Sequence, residues 1–235
     1  PFHHLFQSVL FLVLILSGLS KAASPNIIMI MSDDQGWGDA GFNGHPDLKT
    51  PHLDAMAANG IKFNRFYAAS PLCSPTRGSC LTGRNPFRFG ILAAHTAGMR
   101  QGEITIAEML ESKDYQTGFF GKWHIGWLEP DLKSSRGHYS PPSHHGFQSY
   151  FATVWFHAPH EPVVAGPKYL AMYPKAGTKR KNYYGCLTAM DEQIGRLRAK
   201  LRELGLEKNT LLFFCSDNGP EGNDKSPGSM AERSA

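Results

Sequence analysis

The chain is poor in cysteine: Cys73, Cys80, Cys186 and Cys215 are all it has in 235 residues. So few, so scattered, do not make the disulfide framework of a small secreted scaffold. Internal repeats and low-complexity segments are also lacking, which excludes solenoid and collagen-like architectures. Charge is modest, with 19% charged residues and a formal net charge of +4. That excess suits an anionic substrate and is too small to imply nucleic acid. The basic cluster Lys175, Lys179, Arg180 and Lys181 reads as a solvated face rather than a polyanion-binding patch. No apolar run is long enough to span a membrane, so an integral membrane protein is not expected. The apolar run at 9–16 precedes small residues at Ser20, Ala22 and Ala23, so residues 1–23 read as a signal peptide. His3 and His4 stand where Lys or Arg is usual and no initiator Met is present, so this leader reads as lacking its first residues. Export, to a secreted or periplasmic location, is the expectation.

What is present is enough for one sizeable α/β domain, with 41% hydrophobic residues. The continuous apolar run 26–31 predicts a central strand covered on both faces. Thr50-Pro51 predicts a helix with Thr as cap, buried through Leu53, Met56 and Ala57 and stopped by Gly60. A strand is predicted at 61–67. Thr105-Ile106-Ala107-Glu108 has the form of a capping box that opens a helix to about Ser112. Further inner strands are predicted at 115–120, 153–156 and 210–215, the last with Cys215 buried, and a long helix at 182–204. Strands alternating with helices imply a mainly parallel sheet sandwiched by helices. In such sheets ligands sit beyond the carboxyl ends of the strands.

The polar clusters fall at those ends. Asp33-Asp34 follows the first strand, Lys122-Trp123-His124 the second, His157-Ala158-Pro159-His160 the third and Asp217-Asn218 the fourth. Asp33, Asp34, Asp217 and Asn218 offer only oxygen ligands, which suit Ca²⁺ or Mg²⁺ and disfavour zinc. Lys122 and His124, two apart, would point to one side of an extended segment. Lys122 can serve as a point charge for an oxyanion, and His124 can orient or deprotonate a hydroxyl. Cys73-Ser74-Pro75-Thr76-Arg77 runs on to Leu81-Thr82-Gly83-Arg84. Pro75 can open a helix and Gly83 can end it. A sulfur nucleophile, or a group made from it, then sits at the positive end of a helix dipole, a place suited to an oxyanion.

The pattern C-x-P-x-R followed by L-T-G-R resembles the signature of the type I, formylglycine-dependent sulfatases of the alkaline-phosphatase-like superfamily. The paired aspartates, G-K-W-H, H-x-P-H and S-D-N-G follow in that family's order between Asn26 and Asn218. The resemblance implies an N-terminal sulfatase catalytic domain over 24–220, incomplete, with a polar tail at 221–235. It implies that a maturation enzyme, helped by the L-T-G-R tail, oxidises Cys73 to formylglycine. Arg77 and His124 would support the hydroxyls of its hydrate. Asp33, Asp34, Asp217 and Asn218 would bind one Ca²⁺ together with residue 73. Lys122 and a histidine would hold the sulfate and the leaving oxygen; His160, in the P-H-x-P context, is favoured, with His157 second. One hydroxyl would attack sulfur, and the second would release sulfate as the aldehyde reforms. The implied substrate is a sulfated small molecule or glycan. A phosphodiesterase or phosphonate hydrolase of the same superfamily, and an inactive remnant that binds sulfated glycans, are the alternatives. Two departures stand out. Strands two and three are joined by about thirty residues without helical pattern, so the chain reads as internally shortened near Thr153. The family's further sulfate-binding lysine and smaller C-terminal domain are not matched, and Lys225 lies too close to Asp217 to take that lysine's role.

Overall fold

A computed structural model of the chain describes residues 24–128, 139–147 and 152–220. The expected leader at 1–23 and the polar tail at 221–235 lie outside the described residues. In chain order the elements are β1 (Asn26–Ser32), α1 (Pro51–Ala58), α2 (Cys73–Thr82), α3 (Pro86–Phe89) and α4 (Ile106–Glu111). Then come β2 (Gly118–Gly121), β3 (Ala152–Trp155), α5 (Pro167–Leu170), α6 (Thr178–Glu203) and β4 (Thr210–Ser216). The four strands pair in the order β2-β3-β1-β4, all parallel.

The apolar run of β1 works because both of its faces are covered. Ile28 and Ile30 pack with Leu53 of α1 and with Tyr183, Leu187, Met190 and Ile194 of α6. Met31 joins a second cluster with Leu81 of α2, Phe89 of α3, Ala107 of α4, Trp123 and Trp155. The expected capping box at Thr105 and Glu108 is formed in full. Between β2 and β3 the only regular element among the described residues is one 3-10 turn, Pro142–His145.

Several expectations are corrected. Residues 61–67 form no strand: Ile61, Phe63, Phe66 and Tyr67 are 82%, 66%, 70% and 80% exposed. Alternating apolar residues make a strand only where another strand supplies hydrogen-bond partners, and none of the described residues does so here. Among the described residues β2 and β4 are edge strands rather than inner ones, β2 starting only at Gly118, with Phe120 52% and Leu211 and Phe213 each 48% exposed, and Cys215 is only partly buried. Thr50 occupies the cap position of α1, but its hydroxyl does not cap the helix. Pro51 has no N–H, and the next two, of His52 and Leu53, donate instead to the buried Asp191 of α6 at 3.1 and 2.7 Å. The long helix α6 starts four residues earlier than its apolar pattern, at Thr178.

Candidate active site

Because all four strands are parallel, their carboxyl ends converge. Lys122 N–H donates to Trp155 O at 3.0 Å, Phe156 N–H to Met31 O at 2.9 Å and Asp217 N–H to Ser32 O at 3.2 Å. Asp33 N–H reaches Ala158 O at 3.1 Å, tying the first loop to the histidine loop. Gly121 is required at this junction. Its φ is +109°, and a Cβ there would lie 1.9 Å from Trp155 O.

α2 brings Cys73 and Arg77 to the same place. It starts at Cys73, two residues before Pro75, and Gly83 closes it in a left-handed conformation at φ 65°. The Thr76 hydroxyl donates to Ser70 O at 2.9 Å, and the Ser74 hydroxyl to His124 O at 2.5 Å. Arg77 is wholly buried. Its Nε and Nη2 donate to Asp217 Oδ2 at 3.1 and 2.7 Å, and Nη2 also lies 3.1 Å from Asp33 Oδ1. Nη1 donates to Lys122 O at 3.0 Å, and the guanidinium stacks 5.0 Å from the Trp155 ring. Arg77 is therefore a strut between carboxylates.

The remaining groups close around the carboxylates. Lys122 Nζ contacts Asp33 Oδ2 at 2.6 Å. His157 Nδ1 lies 3.3 Å from Asp33 Oδ2, and His160 Nε2 lies 3.6 Å from Asp34 Oδ2. The two imidazoles stack at 4.8 Å. Asp217 Oδ1 accepts from the backbone N–H of Asp34 and of Asn218, at 3.1 and 2.8 Å, and the Asn218 amide donates to Asp34 Oδ1. So Asp33, Asp34, Cys73, Arg77, Lys122, His157, His160, Asp217 and Asn218 are brought together. Lys122 and His124 do not point the same way: His124 has φ 58°, and its Nε2 meets His95 Nε2 at 3.0 Å. His95 is a residue the sequence did not single out, because an isolated histidine in an Ala/Thr/Gly loop carries no motif.

Three carboxylates face two fixed cations here, and the consequences are visible in each group. Burial tends to raise Asp33, but its hydrogen bond with Asp217 and the charges of Arg77 and Lys122 prevail, holding it below the usual carboxylate range. Asp217 is pushed up to about 7, chiefly by burial, with Arg77 opposing and the hydrogen bond and charge of Asp33 reinforcing. The Cys73 thiol is pushed up as well, by burial first and then by Asp217, Asp33 and Asp34 against the pull of Lys122. Burial is the main cause, and the unmodified thiol is a poor nucleophile. His124 is pushed down to about 4, by burial and then by Lys122, His95 and Arg77, and is neutral near neutral pH.

The donor set suits a hard cation. One oxygen of Asp33, one of Asp217 and the Cys73 sulfur lie within 4.8 Å of one another, Asp33 Oδ1 has only its ion-pair contact with Arg77, and Asn218 Oδ1 is buried without a hydrogen-bond donor. Excess carboxylate charge and an orphaned buried oxygen are both relieved by a divalent ion.

A family model described as Sulfatase matches residues 25–154 and 143–234. The chain belongs to the sulfatase family. N-acetylgalactosamine-6-sulfatase of Mus musculus is 31% identical over 285 aligned positions, covering 88% of this chain and 54% of that protein. Arylsulfatase A of Homo sapiens is 29% identical over 285 positions, covering 89% and 55%. This sulfatase chain therefore spans about half the length of those relatives. The alignments are longer than its own 235 residues, so the relatives carry internal sequence that it lacks. Among solved structures, Ps i-CgsB in complex with k-i-k-neocarrahexaose superposes with a TM-score of 0.74 at 26% identity, over 88% of this chain and 60% of that one. The fold is the alkaline-phosphatase-like fold of these sulfatases. Among the described residues, no helix is long and apolar enough to cross a membrane.

Proposed function

We propose that this sulfatase-family chain hydrolyses sulfate monoesters, aryl or carbohydrate, after Cys73 is oxidised to formylglycine. The observation that carries the reading is the placing of Cys73 at the start of α2, among Asp33 and Asp217 and with its thiol held protonated. A residue so placed is unsuited to attack as a thiolate, and suited to a neutral oxygen nucleophile beside a cation. Hydrated formylglycine supplies one hydroxyl to attack sulfur and a second whose deprotonation releases sulfate. Asp33, Asp34, Asp217 and Asn218, with residue 73, are the ligands we assign to one Ca²⁺, whose charge would stabilise the oxyanion of the reacting group.

The chain's own residues do the rest. Arg77 locks Asp33 and Asp217 in place and sets their charge. Lys122 presents an ammonium beside Asp33, where it can hold a sulfate oxygen. His160 donates Nδ1–H to the Glu161 carbonyl at 2.7 Å, which leaves Nε2 as the nitrogen that exchanges a proton with the leaving oxygen. His157 is the second choice for that role, being more exposed than His160. His124 is neutral, and its backbone carbonyl accepts from the Ser74 hydroxyl, which ties its loop to the start of α2.

The substrate class we favour is a sulfated sugar, because the similar proteins include an N-acetylgalactosamine-6-sulfatase and a structure solved with a neocarrahexaose. Maturation would require a formylglycine-generating enzyme acting on the C-x-P-x-R and L-T-G-R residues, and export would use residues 1–23. The test begins with thermal unfolding with and without Ca²⁺, beside Asp33→Ala. Binding to the native state alone raises the midpoint by mass action. A rise in the parent and none in Asp33→Ala is expected. The chain matured at Cys73 is then assayed on sulfate, phosphate and phosphonate esters. Preference for phosphorus esters, or anion binding without any turnover, would overturn the reading.

A further inference from the structure

His95 and His124 meet ring to ring, with Nε2 atoms 3.0 Å apart and centroids at 4.3 Å. Both backbones are left-handed, at φ 58° each, a conformation that is strained for a non-glycine residue. Trp127 lies 6.5 Å from the His95 ring and helps close a cleft of about 110 Å³ with Ala97 and Gly126. Among the described residues no third histidine, cysteine or carboxylate joins this pair to make a metal site. The contact is therefore a hydrogen bond, and two neutral imidazoles so placed need one donor and one acceptor.

The surroundings decide which is which. His124 Nδ1 is enclosed and has no partner, whereas His95 is exposed, so its second nitrogen can bond water in either role. An enclosed N–H without an acceptor is rarer and costlier than an enclosed lone pair. The proton of His124 therefore sits on Nε2, held by His95.

We propose that His95 is a positioning residue: its Nε2 accepts the Nε2–H of His124 and keeps the enclosed Nδ1 of His124 unprotonated, on a loop that the Ser74 hydroxyl ties to the start of α2. The catalytic consequence rests on the reading of residue 73 given above. In the role that the family resemblance implies for His124, support of the hydroxyls of the residue 73 hydrate, a bare Nδ1 can accept a hydrogen bond from a hydroxyl and a protonated Nδ1 cannot.

The hydrogen bond is tested without turnover. Long-range ¹⁵N–¹H NMR of histidine-labelled, unmatured protein should show His124 protonated at Nε2 and bare at Nδ1. His95→Ala should mix the tautomers, and His95→Gln, whose amide oxygen can accept, should restore the parent pattern. A protonated Nδ1 in the parent, or a pattern indifferent to His95→Ala, overturns the proposal. In matured protein, His95→Ala should lower kcat roughly tenfold or more with KM little changed, and His95→Gln should recover most of it. An unchanged kcat alongside the expected NMR pattern overturns the positioning role. NMR as expected with no sulfate-ester turnover in the parent overturns the enzymatic reading and leaves the hydrogen bond standing.

Discussion

Replacing Arg77 by Met is the sharpest perturbation of the carboxylate cluster. Met keeps much of the volume against Trp155 and removes four polar contacts, to Asp217 twice, Asp33 and the Lys122 carbonyl. Arg77 and both its ionic partners, Asp33 and Asp217, are wholly buried. Breaking a buried ion pair from one side costs about 3–5 kcal/mol, because the remaining charge is stranded. Asp217 is already pushed up to about 7, so proton uptake by the Asp33–Asp217 pair relieves part of that cost. A loss of about 3 kcal/mol is expected, or about 6–12 °C in Tm for a domain of this size. Urea and thermal unfolding at one buffered pH read it directly. Arg77→Met with Asp217→Asn should recover about 1 kcal/mol or more relative to Arg77→Met alone, since one stranded carboxylate is gone. Arg77→Lys should recover little, because one ammonium cannot span two carboxylates and a carbonyl. A loss under about 1 kcal/mol for Arg77→Met, or strict additivity in the double variant, would refute the strut.

Asp191→Ala strands the buried N–H groups of His52 and Leu53 and should cost about 1–2 kcal/mol in urea unfolding, with Asp191→Asn costing less. Gly121→Ala forces a methyl group onto Trp155 O, so a loss of about 3 kcal/mol or more is expected, with altered near-UV circular dichroism from Trp123 and Trp155. His145 is wholly buried, with Nε2 bonded to the Ser140 hydroxyl at 2.7 Å, and burial, aided by His144 and opposed by Glu108, holds its pKa below the usual histidine value. The unfolded chain then binds a proton before the folded one does. Its contribution is intact above pH about 6.5 and is lost as pH falls below that. The parent should therefore lose stability on acidification from pH 7 to 5 more steeply than His145→Gln; equal slopes would sink the assignment.

Local pattern carried much of the fold. A six-residue apolar run between Pro25 and Asp33 can only be satisfied by burial on both faces, and β1 is so buried. The Thr105–Glu108 box and the Gly83 stop are short-range hydrogen-bond and backbone effects, complete within one turn, and both stand as read. The apolar period of α6 was legible from Leu187 to Leu201, whereas its polar first turn was not. The alternation at 61–67 misled because a strand is half of an interaction, and its other half is not encoded locally.

The sequence by itself determined which residues end the strands, and therefore which chemistry gathers there: oxygen donors, Lys122, two histidines and the Cys73 motif. Motif order is linear information, and parallel strands turn it into one site. Only the tertiary structure decided what each group feels. Asp33, Cys73 and Asp217 lie up to 184 positions apart in sequence, yet they share one buried space in which burial first, and the carboxylates after it, push the Cys73 thiol up. Asp191 caps a helix from across the core, and His95 holds His124 from a loop without motif. Charge, burial and proton position depend on distance in space, and distance in space exists only once the chain has folded.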